Sequence, residues 1–90
     1  MLPAHLKSAR LHAKLTQEKL GVLAGIEEAT ARSRVSQYES DTYRPTFEMM
    51  CAFARVLGVP ESYFYTVDDD FAERILKLYE SDVIQQKKNK

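Results

Sequence analysis

Residues 16–39 read TQEKLGVLAGIEEATARSRVSQYE, a stretch that divides into two short helices joined by a tight connection. Thr16 offers a side-chain oxygen to the free amides of Gln17 to Lys19, which is a helix start signal. Leu20, Leu23 and Ala24 then recur at helical spacing. Gly25 stops that helix, because glycine enters the left-handed conformation of a helix end cheaply. Ile26 follows as an apolar plug. The second helix carries Arg32, Ser33, Arg34, Ser36 and Gln37, with Val35 and Tyr38 between them. Hydrogen-bonding groups on one face and apolar anchors on the other suit the major groove of DNA. Arginine bonds guanine with two donors, glutamine pairs with adenine, and serine donates or accepts. The arrangement predicts a helix-turn-helix.

Further residues extend the pattern. The run Gln17-x-x-Leu20-Gly21-x-x-x-Gly25-Ile26 precedes Val35-Ser36-Gln37-Tyr38-Glu39. Arg44-Pro45 with Phe47 comes next, and Phe53-Ala54-x-x-Leu57-Gly58-Val59-Pro60 closes the series. In this order the chain resembles helix-turn-helix domains of the Cro/phage-repressor type, the XRE family, over roughly residues 6 to 65. The resemblance implies an all-α, five-helix, lambda-repressor-like DNA-binding domain, here with an additional C-terminal helix. It also implies that the third helix, about residues 28–40, reads the major groove.

The chain departs from the family at one place. Gly25 and Val35 are ten positions apart, about one helical turn more than is usual in the family. The additional residues fall in Glu27-Glu28-Ala29-Thr30. Either the third helix starts a turn early or the connecting loop is longer. Two glutamates suit the positive end of a helix, but they would repel a phosphate brought to that end.

Composition sets limits on the alternatives. Ninety residues allow one core domain, which the pattern places at residues 1–66, leaving a helical tail at 67–90. No apolar run approaches the ~20 residues a membrane span needs, and the start Met1-Leu2-Pro3 has no signal-peptide pattern. A lone cysteine excludes an internal disulfide and a cysteine-based zinc cluster. A cytoplasmic protein without metal, cofactor or small-molecule ligand is expected. Thirteen basic residues balance thirteen acidic ones, which argues for weak nonspecific DNA affinity, since that affinity is mostly phosphate neutralisation. The charges are unevenly spread, however. Lys7, Arg10, Lys14, Lys19, Arg32, Arg34 and Arg44 lie in the first half against Glu18, Glu27, Glu28, Glu39 and Asp41, while acidic residues dominate from Glu61 to Glu80.

Pro3 fits the first turn of helix one, where its missing N–H costs nothing. Leu6, Ala9 and Ala13 form an inner stripe with Leu2, and Arg10 lies on or beside it. The family pattern implies a partner for Arg10 in Glu39, in an ion pair tying helix one to helix three; otherwise Arg10 snorkels to solvent. His5 and His12, seven apart on one face, read as surface histidines, because no nearby Asp, Glu or Cys pattern completes a metal site. Gly21 is costly inside a helix, by ~1 kcal/mol against Ala, and close approach of helix three would account for it. Val35 and Tyr38 face inward. Arg32, Ser33, Ser36 and Gln37 then share the outer face and are the base-edge candidates.

The resemblance places Gln17 where relatives hold a phosphate, and the segment Ser40–Pro45 where relatives track the DNA backbone. Phosphate contacts are expected from Gln17, Arg34, Thr42, Tyr43 and Arg44. Thr46 caps helix four, whose inner stripe is Phe47, Met50, Phe53, Ala54 and Leu57. Pro60 starts a short fifth helix, with Tyr63 and Tyr65 half exposed. In the tail, Phe71, Ile75, Leu78 and Tyr79 form an apolar stripe that has to be covered. It either folds back on the domain or pairs with a second copy, and these four residues are the dimerisation candidates.

The expected function is that of a sequence-specific, homodimeric repressor on double-stranded DNA. An antitoxin-like or adaptor-like interaction module on the same fold is the alternative. No nucleophile–base pairing, phosphate-cradling glycine loop or metal spacing points to an enzyme.

Overall fold

Each helix begins or ends where a particular residue makes it do so. In the computed structural model, which describes residues 1–88 and side chains through Ile84, the helices are α1 (Pro3–His12), α2 (Gln17–Leu23), α3 (Glu28–Glu39) and α4 (Phe47–Leu57). A 3-10 helix (Glu61–Tyr65) and α5 (Asp69–Lys88) follow. The last two positions of the 67–90 tail lie outside the described residues, and no strand occurs among those described. Pro3 occupies the first turn of α1. Thr16 caps α2 by accepting from the Lys19 amide at 3.0 Å, and Thr46 caps α4 by accepting from Met49 at 3.1 Å. Asp68 does the same for α5, accepting from Phe71 at 2.8 Å. Gly25 and Gly58 leave α2 and α4 at φ +99° and +69°, where a Cβ would be strained.

The extra turn of chain belongs to α3. The connection from α2 stays short, and the helix begins at Glu28 with Glu27 in the capping position. The Glu27 side chain makes no cap hydrogen bond. Both glutamates are exposed at that end.

The core joins all the elements. Leu6, Leu20, Val35, Met50, Phe53 and Phe64 are its largest fully buried side chains, and Ile26 plugs the turn between α2 and α3. Tyr38 meets Phe53 edge-on at 5.9 Å. α2 and α3 approach so closely that a Cβ on Gly21 would lie 2.8 Å from the Ala31 Cβ and 3.1 Å from its Cα. Glycine at position 21 is therefore a packing requirement.

Several positions depart from the sequence expectation. Phe47, the first residue of α4, is 67% exposed, although Met50 in the same first turn is buried. Ala13 lies just past the end of α1 and is exposed. Tyr63 is buried, drawn in by stacking on His5 at a centroid distance of 4.7 Å. His5 is itself buried rather than a surface residue. Its Nδ1 lies 2.8 Å from the Tyr63 carbonyl, to which it donates, and its Nε2 lies 3.4 Å from Asp69 Oδ1. His5 thus joins α1, the 3-10 helix and the start of α5. His12 is exposed.

Candidate nucleic-acid interface

The inner side of α3 is fixed by apolar packing and by one buried charge cluster. Ala31, Val35 and Tyr38 turn into the core. At the C-terminal end, Glu39 accepts from Arg10 Nε at 2.6 Å and Arg10 Nη2 at 3.1 Å. It also accepts from Gln17 Nε2 at 3.1 Å, and Arg10 Nη1 donates to the Leu15 carbonyl at 2.9 Å. Both charged side chains are more than nine-tenths buried. Such a pair need not add net stability, but each partner is costly to leave alone. Among the described residues, every buried side-chain polar atom has a hydrogen-bond partner. The cluster ties α1, the start of α2 and the end of α3 together, so the angle between the two helices of the motif is set from the inside.

With that side fixed, the outer face is determined. Arg32, Ser33 and Ser36 are exposed and Gln37 is half-buried. Helical geometry puts these four on the surface opposite Ala31, Val35 and Tyr38. Arg34 lies at the flank instead. Its Nη2 donates to the Tyr38 hydroxyl at 2.8 Å, and its guanidinium lies 5.9 Å from the Tyr38 ring centre.

The loop after α3 folds against the helix end. The Gln37 carbonyl accepts from the amides of Thr42 at 2.9 Å and Tyr43 at 3.3 Å. Asp41 turns the chain at φ +62°, and the Ser40 and Thr42 hydroxyls bond at 2.8 Å. Thr42, Tyr43 and Arg44 are consequently exposed next to the α3 C-terminus. Gln17 sits at the first position of α2. Its amide gives one N–H to Glu39 and retains a second donor.

A shallow depression of about 640 Å³ is lined by Lys7, Arg10, Thr16, Gln17, Glu18 and Arg32. It brings Arg32 of the outer face beside Gln17, and it adds Lys7, which no motif assigned to the interface. The signal for Lys7 was its place three residues before Arg10, on the same face of α1. The tail residues lie on a different element. Phe71, Ile75 and Leu78 line one groove on α5, whereas Tyr79 faces another hollow with Gly58, Val83 and Ile84. No described helix is long and apolar enough to cross a membrane.

A capped short helix, a tight glycine turn and a longer helix with a polar outer face define a helix-turn-helix domain. The helix-turn-helix family profile matches residues 6–64, and the chain belongs to that family, in its XRE branch. The crystal structure of the transcriptional regulator BswR is similar, with 33% identity and a TM-score of 0.85 over 100% of this chain and 95% of that one. No curated protein matches the chain significantly.

Proposed function

We propose that this chain is a sequence-specific transcriptional regulator that binds double-stranded DNA as a homodimer in the cytoplasm and represses by occupying its site. The observation that carries the reading is the polar outer face of α3, held outward by the buried Arg10–Glu39–Gln17 cluster. In this reading α3 enters the major groove. Arg32 gives two donors to a guanine and Gln37 pairs with an adenine, with Ser33 and Ser36 between them. Gln17, Arg34, Thr42, Tyr43 and Arg44 fix the register on phosphates, and Lys7 joins them from α1. The exposed Glu27 and Glu28 keep the first turn of α3 away from the backbone, so readout begins near Arg32. The α5 residues Phe71, Ile75 and Leu78, with Tyr79 at their margin, join two copies.

The exposed α5 stripe also favours a second reading, an antitoxin- or adaptor-like module that holds another protein. Fluorescence-anisotropy titration separates the two. The duplexes are the DNA upstream of the protein's own coding region and a scrambled control. Tight binding to the first with weak, salt-sensitive binding to the second supports a specific regulator. Equal, weak binding to these two and to sites selected from a random duplex library counts against it.

A further inference from the structure

α5 has two apolar sides with different fates. Ala72 and Leu76 turn toward the domain and join its core. Phe71, Ile75 and Leu78 line a groove with Arg74, Lys77 and Ser81, and Phe71 and Leu78 are 51% and 65% exposed. Spacings of three and four residues put Phe71, Ile75, Leu78 and Asp82 along one side of the helix. The stripe therefore has an exposed carboxylate, Asp82, at its C-terminal end. Near its N-terminal end lies Arg74, whose guanidinium is 5.9 Å from the centre of the Phe71 ring. The basic Arg74 and Lys77 flank the stripe between Phe71 and Leu78, and the carboxylate of Asp82 closes it at the C-terminal end.

Resting on the dimeric reading above, we infer that two copies pair antiparallel through α5, with the two-fold axis between Ile75 and Leu78. Ile75 of each copy then packs on Leu78 of the other. Phe71 faces the partner's Asp82, which comes within reach of Arg74. Two-fold symmetry forms each contact twice. A parallel pair in register would set Arg74 against Arg74 and Asp82 against Asp82, so the charges select the antiparallel arrangement as well as the register. The apolar stripe is short, and the Arg74 and Asp82 charges beside it keep one helix from sliding along the other.

Within one chain, Arg74 and Asp82 are eight residues apart, about 12 Å along the helix axis, beyond direct contact. Any compensation between them must come from a second copy. The test is sedimentation equilibrium on the full chain and three variants, Arg74→Glu, Asp82→Lys and the double exchange, with circular dichroism confirming equal helix content. Each single change should raise the dimer dissociation constant roughly tenfold, because two pairs are reversed at once. The double exchange should return it to near the starting value. A dimer whose single and double variants are indistinguishable, or whose double variant is weaker than either single, overturns the antiparallel register and leaves the dimer standing. A wild-type chain that stays monomeric at every concentration overturns the dimeric reading itself. A wild-type monomer that sediments with a different protein when copurified points to the adaptor alternative.

Discussion

α3 and α5 each turn a few apolar residues inward, yet they are anchored in opposite ways. α3 buries Ala31, Val35 and Tyr38, fastens its end with a charge cluster and turns serine, arginine and glutamine outward. Among its described side chains, α5 buries Ala72, half-buries Ile75, Leu76 and Val83, and leaves Phe71 and Leu78 exposed. An outward polar face loses little in water and gains when a polar partner with matching donors and acceptors arrives. An outward apolar face is unfavourable in water and gains by being covered. The two helices thus suit the two kinds of partner proposed for them, nucleic acid for α3 and protein for α5.

The contrast is broken most severely at its buried end. Glu39→Ala leaves the Arg10 guanidinium buried with only the Leu15 carbonyl to accept from it. It should lower unfolding free energy by about 3–5 kcal/mol, measured by urea denaturation. A loss below about 1 kcal/mol would mean that α3 is held by apolar packing alone. Gly21→Ala drives a methyl group into Ala31 and should cost about 1–3 kcal/mol by overpacking, read from the same denaturation curves. An unchanged midpoint would show that α2 and α3 can separate without penalty.

His5→Ala tests the fastening of α5. It removes the bond to the Tyr63 carbonyl and the stacked ring and should cost about 1–2 kcal/mol. Faster hydrogen exchange at the start of α5 should accompany that loss, with α3 amides protected as before; equal acceleration in both helices would merge the two anchoring modes into one. The smallest effect is expected at the loop. Arg44→Ala should weaken operator and random DNA alike and flatten the salt dependence by about one phosphate, checked by titration at several salt concentrations. Selective loss on the operator would move Arg44 from phosphate to base contact.

Much of this contrast was legible in the sequence, because α3 and its neighbours are governed by local rules. Thr16 and Thr46 announce helix starts, Gly25 and Gly58 announce ends, and a glycine at position 21 inside a helix asks for a close neighbour. The partner of Arg10 came from the family resemblance, since periodicity reports which face a residue occupies and not what covers it. His5 shows the same limit. Its partners Tyr63 and Asp69 are 58 and 64 positions away, and no local pattern distinguishes it from the exposed His12. Phe47 fails in the other direction, apolar and on the expected stripe but left exposed as the first residue of α4. The extra turn before Arg32 admitted two solutions in sequence. Glu27 and Glu28 suit a helix start by charge, and the helix does take up the added residues.

The claim at the centre of this account is that the outer face of α3 reads bases. Anisotropy titration of Arg32→Ala against the selected operator and a scrambled duplex tests it directly. A loss of about 1–3 kcal/mol is expected on the operator, a factor of roughly 5 to 150, with a much smaller change on the scrambled duplex. An operator affinity equal to that of the unaltered chain would contradict it and would place base recognition elsewhere than on this face.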